Sequence, residues 1–362
     1  MRNRTRSRLA ILASAAVLAG GGFAVSPVFA QSGGAAEPAA RDYDAEILAA
    51  QQAAKTAAGL EHLGTLNRLC FLPPTNGAPS GEDATPPYID DPSKAPAKST
   101  WYADSAQVFD NLYFVGGSVH SAWILKTGAG LILIDSGYQY SAKTLILDGM
   151  KRFGFDPRDI KYIVISHAHA DHVGGVQVVQ EASHGARVVM GAADWDAIAA
   201  HPKTFKGQTP DPRTGIRVTK ETRLRLGGTT LRIVPTPGHT PGTLSFLFQV
   251  TDHGTPHTVA YSGGTALGFQ NDKPDPGLAN YRTYIDSART MRKAATSAGA
   301  TVLLSNHSEF DNAVTKTREL PSRGFGPNPL VNGKKSVKNY FNVVVDCAKA
   351  AELGLEKKFP NG

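Results

Sequence analysis

Three histidines and an aspartate fall within six residues in Ser166-His167-Ala168-His169-Ala170-Asp171-His172-Val173-Gly174-Gly175. Imidazole and carboxylate are the ligand types that a borderline cation such as zinc takes. The segment directly follows a short apolar run, residues 162–166, that reads as a buried strand. At a strand end alternate residues point the same way, so His167 and His169 can reach one cation. Asp171 and His172, where the chain turns into a helix, can face a second. Ala168 and Ala170 are small enough for a tight loop, and Gly174-Gly175 lets the following helix approach closely. A lone histidine is usually a satisfied structural residue. Four ligand-type residues in H-x-H-x-D-H order behind a strand point to a metal instead.

Two more histidines occupy the same kind of position. His239 lies in Thr236-Pro237-Gly238-His239-Thr240-Pro241-Gly242, between runs 230–235 and 244–250 that read as strands. His307 follows a predicted strand over 302–305, in Ser305-Asn306-His307-Ser308. Strand-end loops are where function is commonly grafted onto a rigid frame. Further strands are predicted over 112–115, 122–126, 131–135, 187–190 and 258–261, and helices over 142–153, 174–182, 193–199, 281–298 and 337–350. Neighbouring hairpins come first and strands alternate with helices later, which predicts an α/β fold of sheets covered by helices. Leu131-Ile132-Leu133-Ile134 lacks period-2 alternation, as expected of a strand covered on both faces.

From these residues the chain resembles the metallo-β-lactamase-fold hydrolases over roughly residues 101–350, about two thirds of its length. The resemblance is carried by H-x-H-x-D-H, the P-G-H-T-P-G turn and the late strand-end histidine, and is strongest to the subclass B3 metallo-β-lactamases. It implies an αββα sandwich with a dizinc site on one edge. It assigns His167, His169 and His239 to the first Zn2+, and Asp171, His172 and His307 to the second. Many members of the fold, lactonases among them, place a bridging Asp after the strand predicted over 258–261; B1 and B2 lactamases place a Cys. Here that loop reads Ser262-Gly263-Gly264-Thr265, and the B3 arrangement needs no ligand from it because His172 completes the second site. B3 enzymes usually carry serines in this loop, where this chain has Gly264, Ala266 and Phe269.

The function this implies is opening of the β-lactam amide by a zinc-bound hydroxide, with Asp171 as the catalytic carboxylate that orients the attack. A dizinc hydrolase of another lactone, ester or amide is the alternative, and a non-catalytic zinc-binding scaffold is a third. Iron or manganese can occupy similar donor sets. His120 falls on a loop that lies near the metals in the resembled family, and is expected to contact substrate. Asn306 and Ser308 flank a ligand and could also hydrogen-bond substrate. Asp135 ends a buried strand and could orient a ligand, or cap the following turn. His184, His201, His253 and His257 read as surface residues, and Tyr281 and Arg282 as ordinary core and surface positions.

The chain has 362 residues, 41% hydrophobic and 19% charged, which is ordinary globular usage. Its formal charge is +7, from 38 Lys+Arg against 31 Asp+Glu. Arg2, Arg4, Arg6 and Arg8 supply four of the positive charges, so without them 34 stand against 31, leaving +3. No basic stripe remains to track a phosphate backbone, which excludes nucleic acid as the expected partner and leaves a small-molecule substrate. The basic start, the apolar stretch over 9–25 and Val28-Phe29-Ala30 read as a secretory signal cut after Ala30, giving a periplasmic or secreted protein without stable membrane association. Residues 31–100 read as an N-terminal extension, with a helix over 44–58 and a Pro-rich surface loop over 73–96. Residues 101–353 form the hydrolase-fold domain and 354–362 a tail. Cys70 and Cys347 could form one disulfide joining the arm to the C-terminal helix, or remain two free thiols.

Overall fold

The computed structural model describes residues 41–72 and 83–360; the expected signal segment lies outside them. Two sheets stack face to face. The first runs in spatial order β1 (Ala106–Phe109), β2 (Leu112–Phe114), β3 (Trp123–Thr127), β4 (Gly130–Ile134), β5 (Ile160–Val164), β6 (Arg187–Gly191) and β7 (Ile216–Val218). Pairing is antiparallel from β1 to β4 and parallel from β4 to β7. The second sheet comprises β8 (Thr222–Leu226), β9 (Thr229–Pro235), β10 (Leu244–Asp252), β11 (Thr255–Ser262) and β12 (Val302–Ser305), with only β11 and β12 parallel.

The helices that cover these sheets are α1 (Tyr43–Ala58), α2 (Ala170–Val173), α3 (Val176–Ser183), α4 (Ala192–Ala200), α5 (Pro274–Ser297) and α6 (Lys334–Lys358). In β4 the pleat sends Ile132 and Ile134 into the core between the sheets, with Trp123, Phe246 and Tyr261. Leu131 and Leu133 go to the opposite face, under Ile146, Val176 and Ile198 of the helical layer. That is why the run is apolar throughout. The other helical layer, α5 and α6, packs Tyr284, Met291, Tyr340 and Val344 on Val234, Leu247, Ala260 and Leu303 of the second sheet. The result is an αββα sandwich.

Several elements differ from the sequence expectation. The run 142–153 is an irregular helical stretch with a wide turn at Lys143–Leu147. Helix α6 continues through residue 353 to Lys358, so the expected tail is largely its last turns. In the Pro-rich loop, residues 83–96 form short helical turns at Pro87–Asp90 and Pro92–Lys94. The segment beginning at Asp42 belongs to the same compact unit as the sandwich. Helix α1, capped by Asp42 accepting from the Ala45 amide, buries Ala54 and Ala58 in the core that holds α6.

Cys70 and Cys347 are disulfide-bonded, stapling the arm to α6 across 277 residues of chain. Replacing both by Ser should cost about 3 kcal/mol, or roughly 4 °C in Tm for a chain of 362 residues. Thermal unfolding of the variant, and of wild type with and without reductant, measures it. The stapled segment also meets the loop after His307, Thr65 Oγ1 donating to Phe310 O at 2.9 Å, so elemental analysis accompanies the melts.

Candidate metal centre

The sequence-predicted ligands collect at one edge of the sandwich, where β4, β5, β11, β12 and the β9–β10 turn end. Beyond β5 the chain passes through Ser166, His167 and His169 into α2, which carries Asp171 and His172. Asp135, just after β4, has a left-handed backbone (φ 58°) that a non-glycine residue adopts only at a cost. Its side chain repays the conformation. Oδ1 accepts from the Ser166 amide at 2.6 Å, and Oδ2 from Ser166 Oγ at 2.9 Å and Tyr261 Oη at 2.7 Å. Oδ2 also lies 3.3 Å from His172 Nδ1, outside good hydrogen-bonding geometry, and acts on that ring as a buried charge.

In one cluster His169 Nδ1 lies 3.1 Å from His167 Nε2 and 3.0 Å from His239 Nε2. Gly263 O accepts from His167 Nδ1 at 2.9 Å, and Ala266 O from His239 Nδ1 at 2.7 Å. Carbonyl oxygens only accept, so both Nδ1 atoms carry the proton and both Nε2 atoms present lone pairs. His169 Nδ1 can donate to one of them at most. Burial holds His167 and His239 well below the usual histidine range and lowers His169, so all three stay neutral. Lone pairs brought together in a buried site repel one another unless a cation sits among them. The donor set fits a metal.

In the other cluster Asp171 Oδ2, His172 Nε2 and His307 Nε2 lie 3.0 Å from one another. Burial opposes the charge on Asp171, but His172 outweighs it and the carboxyl is held well below its usual range. Burial likewise opposes charge on His172, yet Asp171 and Asp135 push it up to about 10. His167, Asp171 and His172 also offer donor atoms all within 4.8 Å of one another, so Asp171 stands between the two clusters. The edge thus brings all six expected ligands together.

His120 is there too, its Nε2 3.4 Å from Asp171 Oδ2. Burial pushes it down to about 4. Asn306 is buried and donates from Nδ2 to Gly263 O at 3.1 Å, with His172 Nε2 3.2 Å away. Ser308 is also buried, its Oγ 3.3 Å from Ser121 Oγ. Asn306 thus joins its loop to the loop after β11, and Ser308 lies against Ser121. His184, His201 and His253 are exposed and His257 half-buried, but His201 also lines a cavity of about 500 Å³ beside His169 and His239. Ala197, Phe205, Pro237 and Phe269 supply apolar wall.

One positioning residue was not evident from the sequence. Asp194, buried in the first turn of α4, accepts from the Ala168 amide at 2.7 Å, Thr240 Oγ1 at 2.9 Å and the Gly242 amide at 2.9 Å. It therefore ties the His167–His169 loop to the His239 turn. Asp194→Ala should reduce kcat/KM by about 10- to 100-fold through ligand misplacement. Steady-state kinetics with elemental analysis would show it, and Asp194→Asn, which keeps one acceptor, should lose less.

Residues 115–253 match the family model described as the metallo-β-lactamase superfamily. The chain carries a metallo-β-lactamase superfamily domain. An N-acyl homoserine lactonase of a Bacillus species is 26% identical over 178 residues, 43% of this chain and 68% of that protein. Among solved structures, a point mutant of the FEZ-1 metallo-β-lactamase from Legionella gormanii aligns with a TM-score of 0.59 at 25% identity, over 72% of this chain and 98% of that one. BJP-1, a subclass B3 metallo-β-lactamase of Bradyrhizobium japonicum, aligns with a TM-score of 0.57 at 25% identity, over 73% and 97%. Hydrolases of the metallo-β-lactamase superfamily act on small molecules and usually bind zinc, which suits these His/Asp clusters. Among the described residues no helix is long and apolar enough to cross a membrane.

Proposed function

We propose that this chain is a secreted dizinc hydrolase that opens the cyclic amide of β-lactams. The observation that carries the reading is the completion of the second cluster by His172, with no carboxylate over residues 263–271 after β11. In that loop a Cβ on Gly264 would lie 2.5 Å from His239 Cβ, so an Asp cannot be seated there without moving a ligand. His167, His169 and His239 would hold one zinc ion and Asp171, His172 and His307 the other. Such a pair supplies a water acidified to a pKa of about 7 and a Lewis acid for the substrate carbonyl. Asp171, between the clusters, orients the attacking water through its carboxylate. Asp135 ties down the end of β5 through Ser166, Asn306 ties its loop to Gly263 O, and Asp194 holds the two loops of the first cluster.

A second reading, hydrolysis of acylated lactones, is favoured by the lactonase relative and by the largely apolar 500 Å³ cavity beside His169 and His239, which could take an acyl chain. Purified zinc-loaded protein should be assayed against a carbapenem, a penicillin, an N-acyl homoserine lactone and simple esters, before and after chelation. Turnover of β-lactams that is abolished by chelator and restored by zinc is expected. Lactone turnover with none of β-lactams would replace the first reading by the second. Export is tested separately: the mature protein should appear in the periplasm or medium, with Gln31 as its first residue.

A further inference from the structure

Within the two-cation reading, we propose that His120 is a direct protein ligand of the second cation, which makes that site His120, Asp171, His172 and His307. His120, Asp171 and His307 form a donor set whose atoms all lie within 4.8 Å of one another. Around the single atom Asp171 Oδ2 stand His172 Nε2 at 3.0 Å, His307 Nε2 at 3.0 Å and His120 Nε2 at 3.4 Å. Four ligands placed tetrahedrally at zinc–nitrogen distances are separated by about 3.3 Å. The separation of His120 Nε2 from Asp171 Oδ2 matches one such edge.

The ring is aimed by the backbone. Residues 120 and 307 form a β-bridge, Ser121 N donates to Asn306 O at 2.8 Å, and Ser308 N to Val119 O at 2.7 Å. The turn closes as Gly117 N donates to His120 O at 2.8 Å. It needs glycine at 116, where a Cβ would meet Ala122 N at 2.4 Å. The ring packs at right angles to Tyr138, centroids 5.1 Å apart, and to His307 at 4.9 Å. A substrate-contacting histidine has no need to be bridged to the loop that carries a ligand. A ligand does, because donor positions must hold to within a few tenths of an ångström.

The consequence is an asymmetric pair. A zinc site with three protein ligands keeps an open position, whereas one with four is closed. The His167–His169–His239 site would then be the one that takes the substrate oxygen. The site at His120 would act mainly as a fixed charge that also holds Asp171 in place.

The test is a Co2+ titration of apoprotein in a His239→Ala background, which cripples the first site, with and without His120→Ala. Calorimetry should show the remaining equivalent bound at least about 10-fold more weakly without His120. The visible Co2+ bands should weaken and shift as a four-coordinate ion becomes higher-coordinate with water. Unchanged affinity and spectrum would overturn the proposal and return His120 to substrate contact, read as a KM effect alone. Should His120→Ala misfold by circular dichroism, His120→Asn is titrated in its place against the same two outcomes. If otherwise wild-type protein binds fewer than two Co2+, the two-cation reading itself fails. Two Co2+ in that protein with no His120 dependence removes only the present inference.

Discussion

Asp171→Ala is expected to lower kcat/KM by at least about 1,000-fold, at the upper end of what one preorganised transition-state contact contributes. Asp171 is the only anion among the six expected ligands, and its Oδ2 is shared by His172 and His307 at 3.0 Å. Removing it takes away the donor common to the cluster and the group that orients the attacking water. The loss should be mainly in kcat, since orientation is used at the transition state rather than in ground-state binding. Asp171→Asn separates charge from shape: it keeps an acceptor oxygen and should still lose most of the activity. Kinetics paired with elemental analysis reads both effects. Retention of more than a tenth of wild-type activity in the Asn variant would mean that Asp171 is packing and the orienting group lies elsewhere.

The ligands were legible in the sequence because they are local. His167, His169, Asp171 and His172 sit on one strand end, and His239 and His307 each follow or join strands whose apolar runs are plain. The αββα layering was legible for a related reason: a strand such as β4, apolar on both faces, must be covered twice. Other features depend on distant partners and left no local mark. Asp194 sits in an Ala-rich run that the sequence reads only as a helix, and its three donors come from 26 to 48 residues away. Strand β7 has only three residues, and β8 alternates Arg223 and Arg225 outward with half-buried neighbours, so neither shows a continuous apolar signal. The arm was read as an appendage because α1 is mostly small residues. Ala54 and Ala58 are fully buried against α6 because they are small, a packing that no hydrophobic periodicity announces. The same holds for the edge-on ring packing of Tyr88 on Tyr138 and Tyr140, which sets the described part of the Pro-rich segment against the tyrosine that meets His120.

Gly264→Ala should be nearly as damaging as loss of a ligand, by at least about 100-fold in kcat/KM, the scale set by a 1 Å misplacement. His239 is held between two glycines. A Cβ on Gly264 would lie 2.5 Å from His239 Cβ and 3.0 Å from its Cγ, and one on Gly268 would lie 2.5 Å from Cε1 and 2.6 Å from Nδ1. Real carbon atoms need more than an ångström beyond that, and the imidazole cannot yield sideways without breaking the bond from Nδ1 to Ala266 O. Metal donor distances tolerate only about 0.2 Å, so the ring leaves the cluster. Elemental analysis should therefore find the first equivalent depleted in Gly264→Ala, with the circular dichroism of the sandwich unchanged. Gly354→Ala, at a helical position where nothing lies within 4 Å of the added carbon, is the matched control and should be silent. Gly264→Asp sharpens the same argument toward function. Fully metallated Gly264→Asp protein with raised lactone turnover would show that a carboxylate fits after β11, and the physical ground for preferring the B3-like arrangement would be gone. The packing of His239 against position 264 predicts an inactive, metal-poor protein instead.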